Sequence, residues 1–302
     1  MRAVKIVIAG GTGFIGEPLV RRLLARNDHV AVLSRNPNRV RAGRGVQWDG
    51  KTAGAWTAEI DDADAIINLA GENIGGGRWT AERKRRLVDS RLDATSAIVA
   101  ALTKAPRGKR ALVNASAVGY YGIDRDTEVD ENASKGSGFL ADLVAEWEKA
   151  AKRAESLARA VILRFGVVLA KEGGALPKML LPFRFGAGGP VGSGNQWMSW
   201  VDRDDVLRAI EWALDNDNVR GIYNITSPEP VRNSDFAKTA GRVLGRPSVL
   251  PAPAFALRLA FGEMADEILL GGQRVVPRRT QAEGFTFNRP ALESSLRHAT
   301  NP

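Results

Sequence analysis

The sequence predicts an α/β fold: a doubly wound parallel sheet with a smaller C-terminal lobe. Three observations predict it. Apolar strand patterns alternate with amphipathic helix patterns through the first half of the 302 residues. A glycine-rich turn, Gly10-Gly11-Thr12-Gly13-Phe14-Ile15-Gly16, joins the first strand to the first helix. The texture then changes after Val168, where glycine and proline displace the regular rhythm.

The first strand is the apolar run of Val4, Ile6, Val7 and Ile8. After the turn, Leu19, Val20, Leu23 and Leu24 recur at helical spacing. Residues 29–33 form the second strand, which ends in Ser34-Arg35. Strands follow at 65–69, 111–116 and 160–164, separated by helices over 80–104 and 138–157. The longer helix turns Leu87, Leu92, Thr95, Ile98, Val99 and Leu102 to one side and leaves its basic run, residues 83–86, in solvent. A helix over 203–214 and a strand over 221–225 return to the sheet. Residues 1–165, with 197–226 returning, therefore read as one domain. Residues 166–196 and 227–302 read as the smaller lobe, with Pro-flanked helices over 236–244 and 254–270. Five glycines between Gly186 and Gly194 precede Gln196-Trp197-Met198-Ser199-Trp200. Two readings of this stretch stand: a mobile substrate cover, or a plain connection packed by Trp197 and Trp200.

A strand, a glycine turn and a helix in succession give such glycines their meaning as a Rossmann dinucleotide site. The helix N-terminus offers free N–H groups and partial positive charge to a pyrophosphate. Gly10, Gly13 and Gly16 keep Cβ atoms away from phosphates and from the strand behind, and Thr12, Phe14 and Ile15 complete the turn. The spacing is G-x-x-G-x-x-G rather than G-x-G-x-x-G. The choice of dinucleotide falls to the end of the second strand. An NAD site usually places Asp or Glu there for the ribose 2′-OH. Here stand Ser34 and Arg35, with Arg39 four residues later and no acid between them. A guanidinium grips a 2′-phosphate in a bidentate, charge-assisted way, so NADP(H) is favoured over NAD(H). The plainer alternative is that Arg35 and Arg39 are ordinary surface residues of an arginine-rich chain.

Composition narrows the remaining classes. A hydrophobic content of 44% suits a globular enzyme with a sizeable core. No apolar run approaches the roughly 20 residues of a membrane span, and the first strand runs into glycines rather than a cleavage site. With no cysteines and only His29 and His298, neither disulfides nor a thiolate or histidine-rich metal centre is expected. A cytoplasmic protein without a membrane partner fits this picture. The net charge of +9 raises nucleic acid as a partner. No helix-turn-helix, zinc finger or basic stripe interleaved with aromatics accompanies it, so specific nucleic-acid binding is not expected.

Three motifs carry a family resemblance: the glycine turn, Asn68-Leu69-Ala70-Gly71-Glu72-Asn73-Ile74, and Ser116-Ala117-Val118-Gly119-Tyr120-Tyr121-Gly122. It continues through Arg164-Phe165-Gly166-Val167-Val168-Leu169, residues 196–201, Asp204-Asp205, Pro251-Ala252-Pro253 and Gly284-Phe285. With these, essentially the whole chain resembles the extended or atypical short-chain dehydrogenase/reductase superfamily. Within it, the chain is similar to epimerase-family proteins, described as sugar-nucleotide epimerase-like, with a small C-terminal domain. The resemblance implies NADP(H) binding, with Leu69, Ala70 and Gly71 lining the adenine and ribose side. It implies that Ser116 faces the nicotinamide, with Phe165, Gly166 and Val167 beside its amide. The substrate would lie between the sheet's C-terminal edge and the smaller lobe. Related proteins are monomers, or dimers formed through the two long helices.

One departure bears on the chemistry. Active superfamily members carry Tyr-x-x-x-Lys on the helix after the serine strand, where lysine lowers the tyrosine pKa for proton transfer. None of Tyr120, Tyr121 and Tyr223 has lysine four residues later, and Phe139 and Leu143 stand at the expected place. The catalytic candidates left are Tyr121, Ser116 and Glu72. Each has a structural alternative: Tyr121 as a turn cap, Glu72 as the partner of an arginine such as Arg91, and Ser116 as an orienting group for the cofactor. Two functions follow. One is an NADP(H)-dependent oxidoreductase or epimerase on a small polar, sugar-nucleotide-like substrate with a non-standard acid–base group. The other is a non-catalytic NADP(H)-binding sensor or scaffold.

Overall fold

A computed structural model describes residues 3–105 and 110–300, so residues 1–2, 106–109 and 301–302 of the expected domain spans lie outside it. The strands of the main sheet are β1 (Lys5–Ala9), β2 (His29–Ser34), β3 (Arg44–Gln47), β4 (Ala65–Asn68) and β5 (Ala111–Ala117). A further strand, β6 (Asp124–Val129), leaves the sheet before β7 (Arg159–Phe165) rejoins it. The helices of this half are α1 (Gly16–Ala25), the short α2 (Ala58–Asp61), α3 (Ala81–Lys104) and α4 (Phe139–Lys152). Then come β8 (Val167–Leu169), α5 (Leu176–Arg184), β9 (Trp197–Met198), β10 (Trp200–Asp202), α6 (Arg203–Asp215) and β11 (Gly221–Ile225). The chain ends with β12 (Val231–Arg232), α7 (Asn233–Leu244), α8 (Ala254–Phe261), β13 (Gly272–Val275), α9 (Arg278–Ala282) and α10 (Leu292–Thr300).

Seven strands form one parallel sheet in the order β11-β7-β5-β4-β1-β2-β3. The order reverses at β1, so a crevice opens above its carboxyl end between β2 and β4, where open α/β sheets bind ligands. Alternate residues of β1 serve two cores, as a pleated strand requires. Ile6 and Ile8 pack with Leu19, Leu23, Val206 and Ile210 on one face. Val7 and Ala9 pack with Ile66, Ile98, Leu102 and Trp56 on the other. Helix α3 begins where Thr80 Oγ1 accepts the Arg83 N–H at 3.1 Å, a side-chain N-cap.

The smaller lobe has its own core of Leu169, Leu176, Leu180, Phe183, Trp200, Phe236 and Leu296. Three two-stranded ladders lie outside the main sheet: β8 with β10 and β9 with β12 at this core, and β6 with β13 beside Tyr121. Residues 197–202 therefore pair outside the main sheet, and only α6 and β11 return to it. The helix read over 254–270 is broken. It stops at Gly262, whose φ of +62° favours glycine, and resumes as a π-helical turn over Ala265–Leu270. A fully buried Asp205 at the start of α6 ties the C-terminal segment down, accepting the N–H groups of Asn288 at 2.8 Å and Arg289 at 3.0 Å. No described helix is long and apolar enough to cross a membrane.

Candidate functional site

The glycine turn closes on itself through the Gly13 N–H, donated to the Gly10 carbonyl at 3.0 Å. Gly10 has φ +80°, and a Cβ there would stand 2.6 Å from the Leu69 carbonyl oxygen. A Cβ on Gly16 would collide with the Gly10 carbonyl. These contacts hold β1, α1 and the 69–71 turn together without side chains. No side chain caps α1 at Ile15, and Thr12 and Gly13 are exposed, so the positive end of the helix faces solvent. Phe14 is half-buried beneath Gly173 and Gly174, with the Arg203 guanidinium 5.2 Å from its ring centroid.

At the end of β2, Ser34 Oγ accepts the Asn36 N–H at 3.1 Å. Arg35 is exposed, as is Arg39 in the 3-10 turn Pro37–Arg39. Neither guanidinium has a carboxylate partner among the described residues. Sequence reasoning missed one acid here. The Trp48 N–H donates to the Ser34 carbonyl at 2.9 Å, which brings Asp49 to the same edge. Its carboxylate is turned into its own loop by Lys51 and Thr52, which hold its pKa down to about 2. Fourteen residues separate Asp49 from Arg35, so only the β2–β3 pairing reveals them as neighbours.

Across the crevice, the 69–71 turn is fixed by Asn68. Its Oδ1 accepts the Ala70 N–H at 3.2 Å, and its Nδ2 donates to Asn114 at 2.7 Å and to Thr95 at 3.0 Å. Gly71 makes room for Arg91, whose guanidinium carbon would be 3.1 Å from a Cβ there. Beyond β7, the Gly166 N–H donates to Ile225 and the Val167 N–H to Ser199. Gly166 and Val167 are half-buried at the edge, whereas Phe165 points into the core.

The other end of the edge is closed. Ser116 Oγ donates to Glu148 Oε1 at 2.6 Å. Glu148 takes two bonds from Arg164, each 2.7 Å, and the side chains of this pair are only 2–3% exposed. Arg164 donates to the Tyr121 hydroxyl at 2.8 Å, and that hydroxyl donates to Asn224 Oδ1 at 2.8 Å. Burial opposes the charge on Arg164, yet the bonds from Glu148 keep its pKa above the ordinary value. Burial pushes the Tyr121 phenol up to about 12. Tyr121, a catalytic candidate from the sequence, is fully buried and faces Val129 and Val275. The 3-10 turn Val118–Tyr121 sets the two rings edge to face, with centroids 5.5 Å apart, so that Tyr121 is the inner one and Tyr120 stays half-buried.

Glu72 is also engaged. Its carboxylate accepts from Arg83 at 2.8 Å and lies 3.7 Å from Arg86, while Arg91 bonds only its backbone carbonyl. Lys84 of the same basic run pairs with Glu263. The first turns of α4 pack into a buried apolar cluster. Leu140 and Val144 face Gly119, and Trp79, Leu87, Leu143 and Met264 complete the cluster, with Phe139 packed against it. Leu140 and Val144 thus lie beside the turn that follows the serine strand, and neither they nor Phe139 and Leu143 can move a proton. Gly138 cannot cap α4, and the Glu267 carboxylate does so instead, accepting the Phe139 and Leu140 N–H groups at 2.6 and 2.9 Å.

Tyr120 is the residue the sequence reading passed over. It is half-buried, with the Arg164 guanidinium 3.6 Å from its ring centroid, and its hydroxyl makes no hydrogen bond among the described residues. Trp197 and Trp200 are packed. Trp197 lies against Arg232 and Arg274, and Trp200 is fully buried with its N–H on the Glu229 carbonyl.

Comparison with known proteins agrees with this geometry. Residues 6–226 match the model of the NAD dependent epimerase/dehydratase family, and residues 252–299 match a domain of unknown function, DUF1731. An epimerase family protein of Mycobacterium leprae is 41% identical, over 99% of this chain and 96% of its own. The human epimerase family protein SDR39U1 is 38% identical, over 97% of this chain and 99% of its own. The structure of human SDR39U1 (isoform 2) with NADPH superimposes with a TM-score of 0.89, covering 97% of this chain and 98% of that one. The chain belongs to the NAD dependent epimerase/dehydratase family.

Proposed function

We propose that this chain binds NADP(H) and acts as an oxidoreductase or epimerase-like protein on a small polar substrate without a Tyr–Lys proton-transfer pair. The observation that carries the reading is the β1–β2 edge: an uncapped helix N-terminus beside Arg35 and Arg39, two cations without carboxylate partners among the described residues. The α1 N-terminus would hold the pyrophosphate, and Arg35 with Ser34 and Arg39 the 2′-phosphate. Leu69, Ala70 and Gly71 would line the adenine and ribose, and Gly166 and Val167 the nicotinamide amide. The relative solved with NADPH supports this choice of cofactor. NADP(H), when bound, supplies or accepts the hydride. The chain's own part is to position the reacting carbon and to keep water from it with the half-buried Leu140. Among the groups near Ser116, the Tyr120 hydroxyl is the one left to hand over a proton, because those of Ser116 and Tyr121 are already engaged.

The engagement of Ser116, Tyr121 and Glu72 favours the second reading, a non-catalytic NADP(H) sensor or scaffold. One experiment separates the two. NADPH oxidation is followed optically over a panel of carbonyl compounds and sugar nucleotides, with wild type, Tyr120→Phe and Tyr121→Phe. The first reading expects slow turnover that Tyr120→Phe lowers by about 10²-fold. Rapid turnover unchanged by either substitution contradicts it. Tight NADPH binding with no turnover on any substrate establishes the second.

A further inference from the structure

The large exposed apolar side chains are concentrated in the smaller lobe: Leu181, Phe185, Val249, Leu250, Phe255, Leu259, Phe261 and Ile268, with only Leu24 elsewhere among the described residues. Helix α8 buries none of its residues. Phe255 and Leu259, four positions apart on one face, are 75% and 77% exposed. The Leu250 N–H donates to the Gly188 carbonyl at 3.0 Å, and the Ala252 N–H to Pro190 at 2.9 Å. These bonds lay the chain before α8 along the loop after α5, joining Phe185 (80% exposed) and Val249 to the ridge. Scattered apolar residues on a surface need no explanation; a ridge of this extent does.

Charge identifies its occupant. Residues 173–201 and 236–262 contain no Asp or Glu, but they contain Lys178, Arg184, Lys238, Arg242, Arg246 and Arg258. Lys238, Arg242 and Arg258 pair with Asp235, Glu293 and Asp266. Lys178, Arg184 and Arg246 have no carboxylate partner among the described residues. A second copy docked on this face by a two-fold axis would set these cations against their own images, with no acid in either stretch to answer them. A small apolar substrate needs a concavity, whereas these side chains stand out from the lobe. Protruding Phe and Leu on stretches that carry Lys and Arg but no acid suit the boundary of an anionic bilayer, where apolar groups enter the acyl edge and cations meet the phosphates.

We propose that this chain docks peripherally, through α8 and the adjoining loops, on an anionic lipid surface. No described helix is long and apolar enough to cross a membrane, and the proposed contact leaves the cofactor edge out.

Co-sedimentation of the full chain with phosphatidylcholine vesicles, with and without phosphatidylglycerol, tests this. The account expects wild type to partition at least about tenfold more strongly to the anionic vesicles, and less as salt rises. Phe255→Ser with Leu259→Ser should remove most of the binding. Arg184→Glu with Arg246→Glu should lower it at least about twentyfold, since each cation near such a surface is worth roughly fivefold. NADPH titration of every variant reports that it is folded. Folded wild type that does not sediment with anionic vesicles overturns the proposal. So does sedimentation that is equal for both vesicles and indifferent to both double variants. A Phe255→Ser, Leu259→Ser chain that changes from dimer to monomer while wild type ignores vesicles assigns the ridge to a second copy.

Discussion

The two ends of the sheet's carboxyl edge carry similar chemistry in opposite states. At the β1–β2 end the cations are free: Arg35 and Arg39 reach solvent, the α1 N-terminus is uncapped, and Asp49 is held away by its own loop. At the β5–β7 end every charge is engaged: Arg164 is locked by Glu148, Ser116 and Tyr121 are bonded to that pair, and Glu267 caps α4. A site that recruits a ligand keeps polar groups unpartnered until the ligand arrives. A buried network instead satisfies itself, because an unpaired group there is costly. The difference teaches that one edge of a sheet can hold both kinds of charge: one end leaves its cations open to solvent, while the other is built as structure.

The largest effect should come from breaking the closed end. Glu148→Ala leaves Arg164 charged and buried, and should cost about 3–5 kcal/mol of stability in chemical denaturation. A loss below about 1 kcal/mol would mean the network is wet and the comparison wrong. At the open end, Arg35→Asp should leave stability nearly unchanged but cost about 1.5–3 kcal/mol in NADPH binding, one to two decades in affinity by titration. Between the tyrosines, Tyr121→Phe should destabilise by about 1–2 kcal/mol, because it strips a partner from Arg164 and Asn224. Tyr120→Phe, which loses no hydrogen bond, should leave the melting temperature in place. The smallest effect concerns alkali. Burial raises Tyr121 from its usual value near 10 to about 12, so the folded state keeps a proton that the unfolded chain releases. Its contribution is present below pH 10 and lost as pH rises towards 12. Tyr121→Phe should flatten that part of the stability profile.

The open end was almost wholly legible in sequence. Gly10, Gly13, Gly16 and Arg35 lie within a short span, and local spacing fixes where a turn and a strand tip place them. Only Asp49 escaped, because strand pairing rather than chain proximity brings it near. The sheet was legible for the same reason, although β3 carries too few apolar residues to announce itself. The closed end was not. Ser116, Glu148, Arg164 and Asn224 come from four separate elements, and nothing local says that they bond one another. The choice between Tyr120 and Tyr121 depends on the twist of a single 3-10 turn. The break at Gly262 was visible as a residue, but the apolar pattern on both sides concealed it.

We propose that the free cations at the open end, Arg35 and Arg39, select the phosphorylated dinucleotide. The most direct measurement is the affinity of the wild-type chain for NADPH and for NADH, titrated under one buffer and salt condition. NADPH should bind at least about tenfold tighter, the worth of one charge-assisted pair to the 2′-phosphate. Equal affinities, or a preference for NADH, would contradict it.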